Sequence, residues 1–290
     1  MTSPPSYQSL IDQAAKQLYA VSETPRIDAE VLMQNVTGQN MAWLIAHGSD
    51  QVQEHHLQPF TNQVEQRAQG KPIAYIVGHK EFWSLELQVN ENVLIPRPDT
   101  ETLVECALQR LPQAESSTVL ELGTGSGAIA IALAHERVES NIVAVDAQAE
   151  ALEVAKSNAV QHRLNNIRFV QSNWYTSLPP RSRFDMIVAN PPYIDAHDAH
   201  LNQGDVRFEP RTALIANRQG MADLELIING AADYLRPGGW VIVEHGFEQA
   251  ETVSALCAAV AFSNIETFKD INGLPRCTAG QFSQAPNAAR

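Results

Sequence analysis

The chain has 290 residues, 44% of them hydrophobic, enough to fill one large or two ordinary domains, which excludes disorder as its default state. Thirty-three acidic against twenty basic residues give a net charge of −13, arguing against a protein that holds nucleic acid mainly through phosphate contacts. Cys106, Cys257 and Cys277 are far apart and outside any CxxC pattern, no HExxH or long apolar run occurs, and residues 1–7 do not resemble a signal peptide. The expectation is therefore a soluble, cytoplasmic protein with no disulfide framework, no metal and no membrane contact.

Residues 7–20 place Tyr7, Leu10, Ile11, Ala14 and Leu18 at helical spacing. A second helical run follows over 28–36 with Gly38 as its stop, a short one over 41–46, and another over 51–69 ended by Gly70 and Pro72. These pieces predict a small helical bundle. The β-branched and aromatic stretches 73–77 and 81–89 then predict a hairpin around Gly78-His79-Lys80. Asp99 or Thr100 is placed to cap the helix that carries Leu103, Val104, Ala107 and Leu108 on one face.

From residue 117 onward, strands and helices alternate, which predicts an α/β domain with a mainly parallel sheet covered on both sides. Strands are expected over 118–122, 141–145, 167–170, 184–189 and 240–244, with short final strands over 265–268 and 277–282. Helices are expected over 125–134, 149–162, 223–235 and 248–260, the third closed by Pro237-Gly238-Gly239. Residues 283–290 read as a frayed tail.

Two stretches carry chemistry. Gly123-Thr124-Gly125-Ser126-Gly127 joins the first strand of this domain to its helix, where glycines permit a tight turn and the helix start offers unpaired amide hydrogens. Asp146 closes the next strand about twenty residues on, where a carboxylate can take both ribose hydroxyls. A nucleoside-containing cofactor is implied, and the pattern Gly123, Gly125, Ala128 leaves NAD open at this point.

The second stretch, Asn190-Pro191-Pro192-Tyr193, ends a buried strand abruptly and holds an amide, a carbonyl and an aromatic ring at its carboxyl end. It has no role in hydride transfer but suits methyl transfer to a planar nitrogen. The Asn190 side-chain oxygen and the Pro191 carbonyl can accept the two N–H groups of an amide or exocyclic amine, and those bonds strengthen as positive charge builds on nitrogen.

With these residues the chain resembles the class I S-adenosylmethionine methyltransferases and, among them, the PrmC (HemK) family. Its members methylate the glutamine side-chain amide in the GGQ motif of class I peptide chain release factors. The likeness runs through the helical N-terminus, Gly78-His79-Lys80-Glu81-Phe82, Ile95-Pro96-Arg97-Pro98-Asp99-Thr100-Glu101, the Gly-rich turn, residues 190–194, Phe208-Glu209-Pro210-Arg211 and Gly273-Leu274-Pro275-Arg276. It implies a Rossmann-like, seven-stranded class I methyltransferase sheet with a small N-terminal helical bundle joined by a β-hairpin. The corresponding divisions are 1–72 for substrate docking, 73–98 for hairpin and linker, and 99–290 for the methyltransferase domain.

The resemblance also implies S-adenosyl-L-methionine as cofactor, with S-adenosyl-L-homocysteine as product. Gly123, Thr124, Gly125, Ser126 and Gly127 would line its methionine end, Asp146 its ribose and Trp174 its adenine. Asn190 would touch cofactor and substrate, while Pro191, Pro192 and Tyr193 shape the glutamine pocket. Asn173 stands where the family usually has Asp, removing a charge near the adenine. The implied partner is a class I release factor, met by a monomer without direct nucleic-acid contact. The alternative is a DNA or RNA amino methyltransferase built on the same four residues, which the −13 charge and the lack of a Lys/Arg cluster disfavour.

Overall fold

The computed structural model describes residues 4–113, 115–180, 182–260 and 262–283, so the expected tail lies, past Ser283, outside the described residues. The chain divides into two compact units, Met1–His79 with Ala199–Phe208, and Lys80–Asp198 with Glu209–Arg290.

The first unit holds α1 (Tyr7–Leu18), α2 (Pro25–Thr37), α3 (Met41–His47), α4 (Glu54–Ala68) and α5 (Ile73–Val77). Side-chain caps set two of the starts: Ser6 Oγ accepts from Ser9 N before α1, and Asn40 Oδ1 accepts from Trp43 N before α3. Tyr7, Ile11, Leu18, Leu32, Met33 and Phe60 meet in its core. The 199–208 segment joins this unit through Arg67, whose side chain is 8% exposed. Its Nε donates to Asp28 Oδ2 and its Nη1 to Asp205 Oδ1, each at 2.7 Å.

Residues 73–77, expected as the first strand of a hairpin, form the helix α5 instead. Ile73, Ile76 and Val77 pack on the bundle core at helical spacing, and the Gly78 N–H, at φ 85°, donates to the Ala74 carbonyl and closes the turn. The hairpin is shorter than expected: β1 (His79–Phe82) and β2 (Leu85–Gln88), turning at Trp83 and Ser84, both in the left-handed region.

The second unit continues with α6 (Glu101–Arg110), β3 (Thr118–Leu122), α7 (Ala128–Glu136), β4 (Asn141–Asp146), α8 (Ala149–Gln161), β5 (Ile167–Gln171) and β6 (Phe184–Ala189). Then come α9 (Ala222–Tyr234), β7 (Leu235–Glu244), α10 (Ala250–Ala259), β8 (Phe262–Lys269) and β9 (Pro275–Phe282). Seven strands form one sheet in the order β5-β4-β3-β6-β7-β9-β8. The first five are parallel, and β9 runs antiparallel to both neighbours.

Alternation divides the strands between two faces. Met186 and Val188 of β6 join α6 and α7 on one side, while Ile187 and Ala189 join α9 and α10 on the other. Pro237-Gly238-Gly239, expected to close α9, lies inside β7: Leu235 pairs with Phe184 and Trp240 with Met186, so the extra residues bulge out of the ladder. No helix among the described residues is long and apolar enough to cross a membrane.

Candidate active site

Sheet order decides where the two chemical stretches meet. β3 lies between β4 and β6, all parallel, with Leu122 opposite both Val145 and Ala189. The residues that follow, Gly123, Asp146 and Asn190, therefore emerge side by side at the carboxyl ends of three adjacent strands. The chain order reverses between β3 and β6, which makes this the switch-point crevice where open α/β sheets bind ligands.

The Gly-rich turn is tied down before α7 begins. Gly123 and Thr124 donate their N–H groups to the Val145 carbonyl at 2.9 Å, and Gly125 donates to Asp146 Oδ2 at 2.9 Å. Asp146 Oδ1 accepts from Gln148 N at 2.9 Å, so this carboxylate is oriented by two backbone amides and keeps lone pairs for further donors. Gly127 sits at φ 86°, and a Cβ there would lie 3.0 Å from Ile131 and 3.1 Å from Ala155. Only glycine meets both the backbone angle and the packing. Asn158 of α8, fully buried, donates to the Ser126 carbonyl and bridges the backbone N–H and carbonyl of Gln88, locking turn to hairpin.

At the end of β6, Asn190 Nδ2 donates to Thr100 Oγ1 at 3.1 Å, which leaves Oδ1 as the end of the amide available to a ligand. Thr100 is thus not the expected cap. It makes no capping hydrogen bond to α6, because its hydroxyl is engaged across the site. The Tyr193 hydroxyl donates to Glu244 Oε1 at 3.2 Å. Burial pushes the Glu244 carboxyl up to about 7, against the opposing pull of the Thr100 hydroxyl, Arg276 and the Tyr193 hydroxyl. Glu244 Oε2 has no hydrogen-bond partner.

These elements enclose a cavity of about 300 Å³. Gly123, Thr124, Gly125, Ser126, Asp146, Trp174, Asn190 and Pro192 are among the residues that line it. Trp174 is held at φ 49°, its ring against Gly123 and its Nε1 donating to Asp223 Oδ1 at 3.2 Å. Gly127, Pro191 and Tyr193 are not among the cavity's lining residues. Arg97 lines the cavity and is ion-paired with the fully buried Glu209, which also accepts from Ile95 N. Glu121 was missing from the expected site. It lines the cavity and is 1% exposed; Oε2 accepts from the Thr124 hydroxyl, and Oε1 has no partner. Burial pushes its carboxyl up to about 8, opposed by the Thr124 hydroxyl, with Asp146 adding to the rise.

A buried carboxylate oxygen without a donor fits a cationic group, and the neighbouring Asp146 fits a diol. Both belong to S-adenosylmethionine, with its ammonium at one end and its ribose at the centre.

Residues 113–282 match the methyltransferase domain family, and residues 9–78 match the PrmC N-terminal domain. The release factor glutamine methyltransferase of Salmonella typhimurium is 47% identical over 277 residues, covering 96% of this chain and 99% of that protein. That of Escherichia coli is 45% identical over 278 residues, covering 96% and 99%. The chain belongs to the release factor glutamine methyltransferase family.

Among solved structures, a methyltransferase from Pyrococcus furiosus shares the fold with a TM-score of 0.54 at 16% identity, covering 77% of this chain and 100% of that one. The 16S rRNA N2 G1207 methyltransferase of Thermus thermophilus, solved with AdoMet and guanosine, shares it at 0.52 and 20% identity, covering 70% and 49%. The sheet is thus common to many methyltransferases, whereas the N-terminal domain ties this chain to the release factor glutamine methyltransferases.

Proposed function

We propose that the chain transfers a methyl group from S-adenosyl-L-methionine to the side-chain amide nitrogen of the glutamine in the GGQ motif of class I peptide chain release factors. S-adenosyl-L-homocysteine is the other product. The observation that carries the reading is the placement of Asn190 beside the Gly-rich turn at the switch point, with its Nδ2 engaged by Thr100.

When bound, S-adenosylmethionine supplies an electrophilic methyl on a sulfonium. Gly123 to Gly127 approach its methionine end through backbone, Glu121 meets the ammonium, Asp146 takes the ribose hydroxyls and Trp174 flanks the adenine. The glutamine amide is a poor nucleophile because its lone pair is delocalised. Asn190 Oδ1 and the Pro191 carbonyl accept its two N–H groups, and both bonds strengthen as the nitrogen becomes positive, favouring the transition state. Orientation alone offers roughly 7–11 kcal/mol in well-aligned systems. The methylated nitrogen is acidic enough to release its proton to water or a neighbouring carbonyl. Pro192 and Tyr193 stiffen the pocket wall.

The first unit is assigned to docking of the release factor, supported by the match of residues 9–78 to a family-specific domain. The enzyme acts as a monomer in the cytoplasm without direct nucleic-acid contact, in keeping with its −13 charge. Transfer of labelled methyl groups to a purified release factor, to its GGQ Gln→Ala variant and to duplex DNA tests the reading. Label is expected in the first substrate only; equal labelling of the variant, or labelling of DNA alone, would overturn it.

A further inference from the structure

Three carboxylates line the cavity, of which Glu121 suits an ammonium and Asp146 the ribose hydroxyls. The third, Asp223, stands in the first turn of α9 and has no part in the chemistry above. The helix dipole favours an acidic residue at a helix start, and that alone would account for an aspartate there. Its side chain is nevertheless turned to another element: Trp174 Nε1 donates to Asp223 Oδ1 at 3.2 Å, and this indole is its one hydrogen-bond donor among the described residues. A carboxylate has about four acceptor positions, so Asp223 keeps capacity for a donor on a ligand.

S-adenosylmethionine carries its N–H and O–H donors in three places: the ammonium, the ribose diol and the 6-amino group of adenine. A flat base also takes a flat face, and Trp174 is the one aromatic side chain lining the cavity among the described residues. Asp223 is bonded to the edge of that ring and so shares the base's part of the cavity. Asn173, which precedes Trp174 where the family usually has Asp, lines the cavity too and is exposed. A carboxamide can turn either its oxygen or its NH₂ to a base, so it fits an amino or an oxo group equally, whereas an ionised carboxylate only accepts. The choice of a 6-amino group thus falls to Asp223.

We propose that Asp223 is a specificity-determining residue of the cofactor site, accepting a hydrogen bond from the 6-amino group of adenine and supplying the carboxylate that position 173 lacks. The inference rests on the reading of S-adenosylmethionine as the cofactor. The Trp174 N–H orients the carboxylate before the cofactor arrives, which lowers the cost of ordering it on binding. The same N–H makes the role separable from support of the indole. An asparagine at 223 would turn its oxygen to Trp174 and leave NH₂, a donor, for the amino group of the base.

The test is calorimetric titration of the full-length protein with S-adenosylhomocysteine and with its 6-deamino analogue, in which hydrogen replaces the amino group. The proteins compared are the wild type, Asp223→Ala, Asp223→Asn and Asn173→Ala. The wild type is expected to prefer S-adenosylhomocysteine roughly tenfold to a hundredfold, the range for a hydrogen bond to a charged group. Asp223→Ala binds the two ligands about equally, Asp223→Asn loses or reverses the preference while still holding Trp174, and Asn173→Ala keeps it. A residue that only buttressed Trp174 would weaken both ligands alike and leave their ratio unchanged. A wild type indifferent to the amino group, a preference retained in either Asp223 variant, or one lost in Asn173→Ala overturns the proposal. If Asp223→Ala does not fold, the ratio in Asp223→Asn decides. Failure of the wild type to bind S-adenosylhomocysteine at all would instead remove the cofactor reading on which the role of Asp223 depends.

Discussion

Glu121 is buried with one oxygen bonded to Thr124 and the other without a hydrogen-bond partner, an arrangement that is costly until a cation meets it. In the free protein its carboxyl titrates at about 8, so near neutral pH it is mostly protonated. A bound ammonium favours the carboxylate, so cofactor binding releases a proton. Affinity for S-adenosylmethionine is therefore expected to rise with pH, by up to about tenfold per unit, and to level off above the free-protein value. Glu121→Gln should bind roughly tenfold or more weakly at the high end and lose the slope. Calorimetric titration in buffers of different ionisation enthalpy reads both quantities, and a variant that keeps the wild-type slope would exclude Glu121 from this role. Glu121 stands two residues before the Gly-rich turn, but nothing in the sequence marks its orphaned oxygen. That depends on α7 covering its face of β3. Thr100 likewise read as a helix cap, the common use of threonine before a helix, because its partner Asn190 lies 90 residues away.

Among the elements, the turn from β3 to α7 was legible because its glycines obey a local rule. Gly127 needs a positive φ and has Ile131 and Ala155 within contact of an added Cβ. Gly127→Ala is expected to cost about 1–3 kcal/mol in urea unfolding, from the left-handed backbone and the tight packing together, and to weaken cofactor binding with it. A variant as stable as wild type would mean that the turn relaxes freely. The misread element was α5. Tyr75, Ile76 and Val77 have strand propensity, yet Ile73, Ile76 and Val77 repeat at three and four, and Gly78 is a helix stop. In so short a segment, capping and burial against the bundle outweigh intrinsic preference. The bulge at Pro237-Gly238-Gly239 was misplaced for a related reason: those residues signal a break, and only the pairing of Leu235 with Phe184 shows that the strand starts before it.

For the molecule as a whole, the chain crosses between the two units three times. The return of 199–208 to the first unit depends on Arg67, whose guanidinium meets the buried Asp28 and the more exposed Asp205. Arg67→Met would leave Asp28 as an uncompensated buried charge, and is expected to destabilise the first unit by about 3–5 kcal/mol. Asp205→Asn should cost about 1 kcal/mol or less, since that carboxylate is 43% exposed on its side chain. Hydrogen exchange resolved by segment, with S-adenosylhomocysteine affinity as the control for the second unit, checks both. Equal loss of protection in the two units would show that they do not unfold separately.

Taken alone, the sequence determined the α/β class, the Gly-rich turn, the acidic end of the next strand and the Asn-Pro-Pro-Tyr stop, because each is written in neighbouring residues whose backbone or bonding needs are local. Strand order was decided only in three dimensions. The β5-β4-β3-β6-β7-β9-β8 arrangement brings Gly123, Asp146 and Asn190 to one crevice and sets Glu244 beside Tyr193. Those contacts join residues far apart in the chain, and their energy comes from burial and from pairing charges away from water, which no local pattern encodes.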